Sequence, residues 1–480
     1  MMEKFLAAIS LVAFLVLTLF TGVYIGLSQR GADSYLSKVY LGLQAAGIQE
    51  DYLDSMWWFN LWTYSEKNKD KEGVVVYEKE KTFDGYTFVV QAPEGTKANL
   101  INMDGQVVHS WQLPFSQVWD EKLPEHLAPF IKETVPERFM TWRGTHLFKN
   151  GDLLVAYDTN TSPAGYGLAK LDKDSNLIWK APILAHHDLD VAPDGKIYAL
   201  SQNISVDPME GYERLGAPII DDEIAVLSSD GKILKEISVL GAFKNSEYYG
   251  EILPYLNNKD RCCDIHQSNP QRGDILHANT VRYITAEKAA ATRHPLFKEG
   301  DLLISLREFD IIAVLDPEAE EIIWALRGFW RTQHDPDITG AGRIVLFDNE
   351  GDQREDPKRS RIIEIDPLTT QITWSFDGTE EETFHSLIWS RVQPLPNGNV
   401  LIDSYQDGEL LEVTREKEIV WKYVAPMHKV RPLDNLMYTA ALHDGQRFSY
   451  DELDFLKQSG ESIPVKEQKN SEEQNKEKTP

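Results

Sequence analysis

Three histidines, His187, His277 and His334, stand at matching points of a recurring strand–turn–strand pattern, and these three are of the twelve in the chain. Counting eight residues back from the turn glycines Gly151, Gly195, Gly342 and Gly398 reaches Arg143, His187, His334 and Ser390, the last beside Arg391. An insertion, TAEKAAATRHPLFK, breaks the count in one unit, where His277 of LHANTVRYI takes the equivalent strand start. Seven residues forward from the turn glycines are Asp158, Gln202, Arg307, Asn349 and Tyr405. A strand start and the end of the returning strand meet at one end of a hairpin, so the two series face each other. Asn279 lies two residues past His277 and points to the same side. Imidazoles carry protons or attack as nucleophiles near neutral pH, guanidiniums hold anions, and amides donate hydrogen bonds. The set implies histidine chemistry in a concave site, and residue type and spacing alone leave the three histidines equivalent. No metal or cofactor is expected. Asp188 and Asp335 directly follow a histidine and should point to the opposite face of the strand, and Arg143 and Arg307 would repel a cation.

The elements that position these residues are short apolar strands separated by Gly, Asp, Asn and Pro turns. A tight turn between strands recurs as KNGDLLVAY, PDGKIYAL, KEGDLLISL, GAGRIVLF and PNGNVLI, and a strand ends in Trp at Trp111, Trp179, Trp324, Trp374 and Trp421. Pairing the two features gives units over 145–180, 187–238, 277–327, 334–376 and 386–424, with Gly85–Leu113 as a less regular first unit. Six units of this kind predict an all-β fold, a six-bladed β-propeller spanning 73–427. Residues 428–480 then form a C-terminal extension whose tail, VKEQKNSEEQNKEKTP, is expected to be disordered.

Ahead of the strands, Phe5–Leu27 is an uncharged apolar run long enough to cross a bilayer, which predicts a transmembrane anchor over 1–30 and an exported body. Residues 31–72 read as a short helical juxtamembrane segment with an aromatic cluster at Trp57, Trp58, Phe59 and Trp62, expected to pack on the main domain. The formal charge of −27, from 49 Lys and Arg against 76 Asp and Glu, argues against a nucleic-acid partner, so an anionic substrate requires a local cationic pocket. The cysteines are the adjacent pair Cys262-Cys263, as compatible with two thiols in a loop as with a vicinal disulfide.

The phrases DGYTFVV, ANLINMDGQVVHSW, HHDLDVAPDGKIYAL, LHANTVRYI with LLISLRE, and QHDPDITGAGRIVLFDNEG with RSRIIEID resemble, in order and spacing, the bacterial arylsulfotransferase (arylsulfate sulfotransferase, ASST) family. That resemblance implies transfer of a sulfuryl group from a phenolic sulfate ester to a phenol acceptor through a transiently sulfated histidine, without a nucleotide donor. Carried over by motif, His334 of QHD matches the nucleophile, His277 and Asn279 the H-x-N pair, and Arg307 the arginine of the returning strand. The HHD motif supplies His187 or His186, of which the glycine count favours His187. Arg143, Asn349, His186 and Tyr405 are then substrate-binding candidates. Two other classes compete. A quinoprotein-like dehydrogenase shares the Trp-bearing repeats and adjacent cysteines but resembles eight units, and a non-catalytic propeller would bind sulfated or phenolic ligands without turning them over.

Overall fold

A computed structural model of the chain describes residues 61–119, 140–158, 165–205, 219–256, 274–351, 359–379, 385–431 and 434–457, with a few isolated positions between them. The apolar run Phe5–Leu27, most of the segment read as helical, Trp57, Trp58 and Phe59, the cysteine pair and the acidic–basic tail lie outside the described residues. Among the described residues no helix is long and apolar enough to cross a membrane.

The all-β class is the observed one. Among the described residues the body is built from six antiparallel sheets of four or five strands, with a further small sheet of three. Each large sheet is antiparallel throughout, and one of its edge strands lies innermost. In chain order these inner strands are Thr141–Leu147, Leu189–Val191, Ala278–Tyr283, His334–Ile338, Arg391–Pro394 and Leu442–Phe448. Each packs on the next, and Leu442–Phe448 packs on both Arg391–Pro394 and Thr141–Leu147, so the series closes on itself.

Successive sheets lie face to face, which is why their middle strands, such as Leu302–Leu306 and Val400–Ser404, are buried along their whole length instead of alternating. The apolar clusters fall between neighbours. Val155 of one sheet joins Phe88 of the one before, and Leu302 joins Ile224 in the same way. Burying both faces of a strand removes alternation and leaves the continuous apolar runs read in the sequence.

The recurring Trp has a structural reason. Trp111 Nε1 donates to Gly151 O at 2.9 Å, Trp374 Nε1 to Arg415 O at 2.9 Å and Trp421 Nε1 to Met103 O at 3.0 Å. Each indole thereby docks on a turn of the following sheet, Trp111 and Trp374 from an outermost strand and Trp421 from the strand next to the outermost, across the junction between chain ends. Trp179 follows the same rule sterically: a Cβ on Gly231, which has φ +82°, would lie 2.5 Å from its ring.

Two boundaries differ from expectation. The body continues past Met427, because Leu442–Phe448 pairs with Tyr86–Gln91 and supplies the inner strand of the first sheet, with Asp444 opposite Val90. The first unit looks irregular in sequence because its fourth strand comes from the other end of the chain. At the N-terminal side, Trp62–Thr63 is a strand paired with Thr439–Ala440, and no helix extends to Glu72. Polar side chains anchor that stretch instead: Lys67 Nζ donates to Glu409 Oε1 at 2.6 Å and Asn68 Nδ2 to Asp407 O at 2.9 Å. Trp62 is buried against the body, as expected.

Candidate active site

The inner strands begin irregularly, and that irregularity aims the side chains. Pairing register shifts between Arg143 and Thr145, Ala278 and Thr280, His334 and Asp337, and Leu442 and Asp444. Left-handed backbone accompanies the shifts at Gly144, His187, His277, Asp335 and Ser390. Bulges and left-handed residues of this kind cost free energy and concentrate where a side chain must be re-aimed. At Gly144 a Cβ would lie 2.9 Å from Asp188 Cα, so the close approach of these two strand starts requires glycine.

The result is a cavity of about 30 Å³ lined by Arg143, His187, Asn279, His334, Trp389, Ser390 and His443. On the measure in which one water needs roughly 10–15 Å³, it has room for a small tetrahedral group. Asp188, Asp335 and Arg391 line its inner end. The expectation that Asp188 and Asp335 turn away from their histidines is overturned, because the left-handed residues at His187 and Asp335 interrupt two-residue alternation.

Behind the cavity, hydrogen bonds fix how each imidazole presents itself. His334 Nδ1 lies 2.9 Å from Thr332 O and 2.7 Å from Asn349 Oδ1. The Asn349 amide cannot be turned the other way, since its Nδ2 donates to Ser386 O at 2.8 Å and Trp389 O at 2.9 Å. His334 Nδ1 therefore carries the hydrogen and Nε2 the lone pair. Burial first, then the charge of Arg307, pushes His334 down to about 3, so the ring stays neutral.

His186 Nε2 faces Ser201 O at 3.2 Å, which makes its Nδ1 the acceptor in the 2.7 Å contact with His187 Nδ1. His187 is the cavity histidine and His186 the one behind it, as the glycine count favoured. Burial takes His186 down to about 4, and burial with the Arg143 charge takes His187 well below its ordinary value. His277 packs its ring 5.0 Å from that of His187 and directs Nδ1 to Asp274 Oδ2 at 2.6 Å. All three imidazoles thus use Nδ1 for support; His187 and His334 line the cavity, and His277 packs behind it against His187.

The remaining expected residues form a shell around these. Arg307 opens the turn after Leu302–Leu306, its backbone N donating to His277 O at 3.1 Å and its Nη1 to Glu308 Oε1 at 2.6 Å. Asn279 Nδ2 donates to Gln333 O, next to His334, at 2.8 Å. Arg143 Nη1 lies 3.5 Å from Asp158 Oδ2, and its guanidinium stacks 4.1 Å over the Trp389 ring. Tyr405 is fully buried beside Trp389, with ring centroids 4.3 Å apart. Burial raises its phenol well above the ordinary range.

Beneath the histidines lies a layer of buried ion pairs. Arg282 bridges Asp188 and Asp335. Arg391 Nη2 lies 3.3 Å from Asp188 Oδ1 and 3.6 Å from Asp335 Oδ1, while its Nη1 lies 3.3 Å from Asp444 Oδ2. Burial holds Asp188 up at about 6 against the pull of the two arginines. Among the described residues no group of histidine, cysteine and carboxylate side chains has the makings of a metal site.

His443, Trp389, Arg282 and Asp444 were not reached by counting from turn glycines. His443 had a signal: the dipeptide His-Asp recurs at His187-Asp188, His334-Asp335 and His443-Asp444, each at the same point of an inner strand. Replacing Asn349 by Ala is expected to leave Thr332 O as the remaining acceptor for His334 Nδ1–H, loosening the ring, and to lower kcat/KM by about 10-fold, the low end for losing an orienting partner. Imidazole nitrogen chemical shifts report the tautomer, and an Nε2–H form dominant in the wild type would sink the assignment.

Comparison with known proteins is consistent with the sequence phrases. A family model described as Arylsulfotransferase (ASST) matches residues 144–426. No curated protein matches the chain. Similar solved structures include a protein of unknown function from Bacteroides caccae, with 12% identity, 70% of this chain and 93% of that one covered, and a TM-score of 0.43. They also include the WD40 beta propeller domain of Doa1, at 8% identity, 79% and 95% coverage and 0.38, and virginiamycin B lyase from Staphylococcus aureus, at 11%, 74% and 89%, and 0.37. Scores this low leave the fold to rest on the sheet topology described above.

Proposed function

The chain belongs to the arylsulfotransferase (ASST) family, and from that premise we propose that its cavity transfers a sulfuryl group from an aryl sulfate to a phenol through a sulfated His334. On this reading the six sheets are the blades of a six-bladed β-propeller, and the inner-strand starts form one mouth of its channel. The observation that carries the proposal is the doubly supported Nδ1–H of His334, which leaves a neutral Nε2 lone pair at the cavity.

The chemistry follows from that lone pair. Nε2 attacks the sulfur, the S–O bond to the aryl group breaks with its electron pair going to the phenolate oxygen, and the sulfuryl group stays on Nε2. The ring then carries positive charge, which Thr332 O and Asn349 Oδ1 meet, so the intermediate leaves again as a neutral imidazole. His277, oriented by Asp274, gives the departing phenolate a proton from Nε2 and takes one back from the incoming phenol. Charge on the peripheral oxygens of a loose transition state is met by preorganised donors, here Arg143 and Asn279, with Arg307 adding positive field from behind. Phenol release in a single turnover with 4-nitrophenyl sulfate, followed by discharge on adding phenol, tests the scheme. A requirement for both substrates before any nitrophenol is released would exclude it.

The depressed basicity of His334 makes a pH prediction. An ordinary imidazole nucleophile would lose activity through protonation near 6.5. With His334 at about 3, the single-turnover rate is expected to show no acid limb between pH 7 and pH 5. For stability the sign is unfavourable: below about 6.5 the unfolded imidazoles bind protons that folded His186 and His334 do not, so these residues cost stability as pH falls toward 4. A limb centred near 6.5 in stopped-flow measurements, with the fold intact, would contradict the assignment.

The apolar run Phe5–Leu27 supports a membrane anchor with the catalytic body exported, which protease accessibility in intact cells would test.

A further inference from the structure

Two buried carboxyl groups lie behind the histidines, and the sulfuryl-transfer scheme uses one of them. Asp274, 4% exposed, takes the His277 Nδ1 hydrogen at 2.6 Å. Asp222, on the strand Ile219–Leu227, is wholly buried, and a bridge between Ile220 and Asp274 brings the two carboxyl-bearing segments side by side. Its Oδ2 accepts from Ala278 N, the residue after His277, at 2.7 Å. Its Oδ1 lies 3.4 Å from His186 Nε2 and, among the described residues, has no hydrogen-bond partner. His187, His186, Asp222, Asp274 and His277 thus close a loop, since the His187 and His277 rings lie 5.0 Å apart.

An ionised Asp222 would have no cation of its own to balance it. The nearby arginines pair elsewhere: Arg143 with Asp158, Arg307 with Glu308, and Arg282 and Arg391 with the ion-pair layer. The groups that face Asp222 are Asp274 and His277 from one side, His186 from another, the Gln202 amide, and Asp221 on its own strand, which is turned to Ser238 Oγ at 2.7 Å. Asp158 and Arg143 stand beyond the histidines. Two carboxyl groups that share a dry site do not both stay ionised, so one keeps a proton. Asp274 takes an imidazole N–H, as a carboxylate does, while Asp222 Oδ1 accepts no hydrogen bond, as suits the oxygen of an O–H. Burial first, then the charge of Asp274, raises the Asp222 carboxyl well above the ordinary carboxylate range.

Building on the sulfuryl-transfer reading, we propose that Asp222 is a carboxylic acid in the working enzyme and a positioning residue for His277. It holds Ala278 N and, by staying neutral, leaves Asp274 as the one anion that sets the basicity of His277. That setting matters at the proton step. The His277 Nε2–H bond breaks with its electron pair left on nitrogen, the proton goes to the departing phenolate, and the incoming phenol restores it. A second negative charge would hold the proton on His277 and slow its departure. Asp222 keeps its own proton through both halves.

Infrared difference spectra of the full chain at neutral pH read the proton directly: Asp222→Asn should delete one protonated-carboxyl band of the wild type. Gln202→Ala, which removes the amide that polarises the same carboxyl, should shift that band, and it decides the matter if Asp222→Asn does not fold. No band lost or shifted overturns the proposal. Single-turnover release of phenol from phenyl sulfate reads the role. Asp274→Asn removes the anion and should move the alkaline limb of the rate toward acid by about one pH unit or more, whereas Asp222→Asn should leave the limb in place. Asp222→Ala, which drops Ala278 N, should lower the rate by about 10-fold, and Asp222→Asn should recover most of it. A limb moved equally by both asparagine variants overturns the assignment of the proton to Asp222. If the wild type releases no phenol from the ester, the sulfuryl-transfer reading fails, while the infrared band still decides whether Asp222 is protonated.

Discussion

Replacement of His334 by Asn is expected to reduce transfer from 4-nitrophenyl sulfate by about 10⁴-fold or more, the scale on which loss of an activated nucleophile is felt. Two features of the site make the effect large. Nε2 is the lone pair that the Thr332 and Asn349 contacts deliver to the cavity, and an asparagine amide offers no nucleophilic nitrogen. His277 and His187 cannot substitute, since each stands at a different inner strand and uses Nδ1 toward its own support. The check is twofold: steady-state transfer, and the mass of the peptide containing residue 334 after exposure to donor alone. Near-wild-type transfer by the variant, or a sulfuryl adduct on another histidine, would move the nucleophile elsewhere.

The largest stability effect is expected at Arg391. Replacing it by Met removes the cation that serves Asp188, Asp335 and Asp444. Arg282 still serves the first two, so Asp444 bears most of the loss, although Thr145 Oγ1 at 2.6 Å and Gln446 Nε2 at 2.9 Å still donate to it. Breaking a buried pair by removing one partner typically costs about 3–5 kcal/mol, and the partial exposure of the Arg391 side chain, at 16%, argues for the lower end, about 3 kcal/mol. The sign of the pH dependence follows. Without Arg391 the Asp188 carboxyl, already held up at about 6 by burial, loses one of the cations that pull it down, so it binds a proton more tightly folded than unfolded and the deficit narrows as pH falls below about 6. Denaturant unfolding at pH 7 and pH 5 measures both. A deficit that stays constant, or is not relieved by adding Asp444→Asn, would count against this arrangement.

Much of the site was readable because the inner strand has a fixed length from its start to its turn. Gly195, Gly342 and Gly151 therefore locate His187, His334 and Arg143 without knowledge of the fold. Counting failed where that length has no meaning. His443 lies on a strand followed by no turn of its own sheet, since its partner Tyr86–Gln91 begins the body. Trp389 precedes its strand on a loop, and nothing in local spacing reveals that Asn349, forty residues earlier, holds its carbonyl. The aspartates were misjudged for a different reason. Alternation assumes extended backbone, and the left-handed residues at His187 and Asp335 depart from it.

The junction between chain ends also sets when the molecule becomes complete. A ribosome delivers His187, His277 and His334 long before it delivers Leu442–Phe448, the strand that pairs with Tyr86–Gln91 and brings His443 and Asp444 to the mouth. Until then the earliest-made sheet has an open edge, the kind of exposed template that pairs wrongly with other chains. A polypeptide stopped at Ala441 would have His334 yet lack a quarter of one sheet, His443 from the cavity wall and one carboxylate of the ion-pair layer. Synthesis of the last few dozen residues is therefore the step at which an open row of sheets closes into a ring.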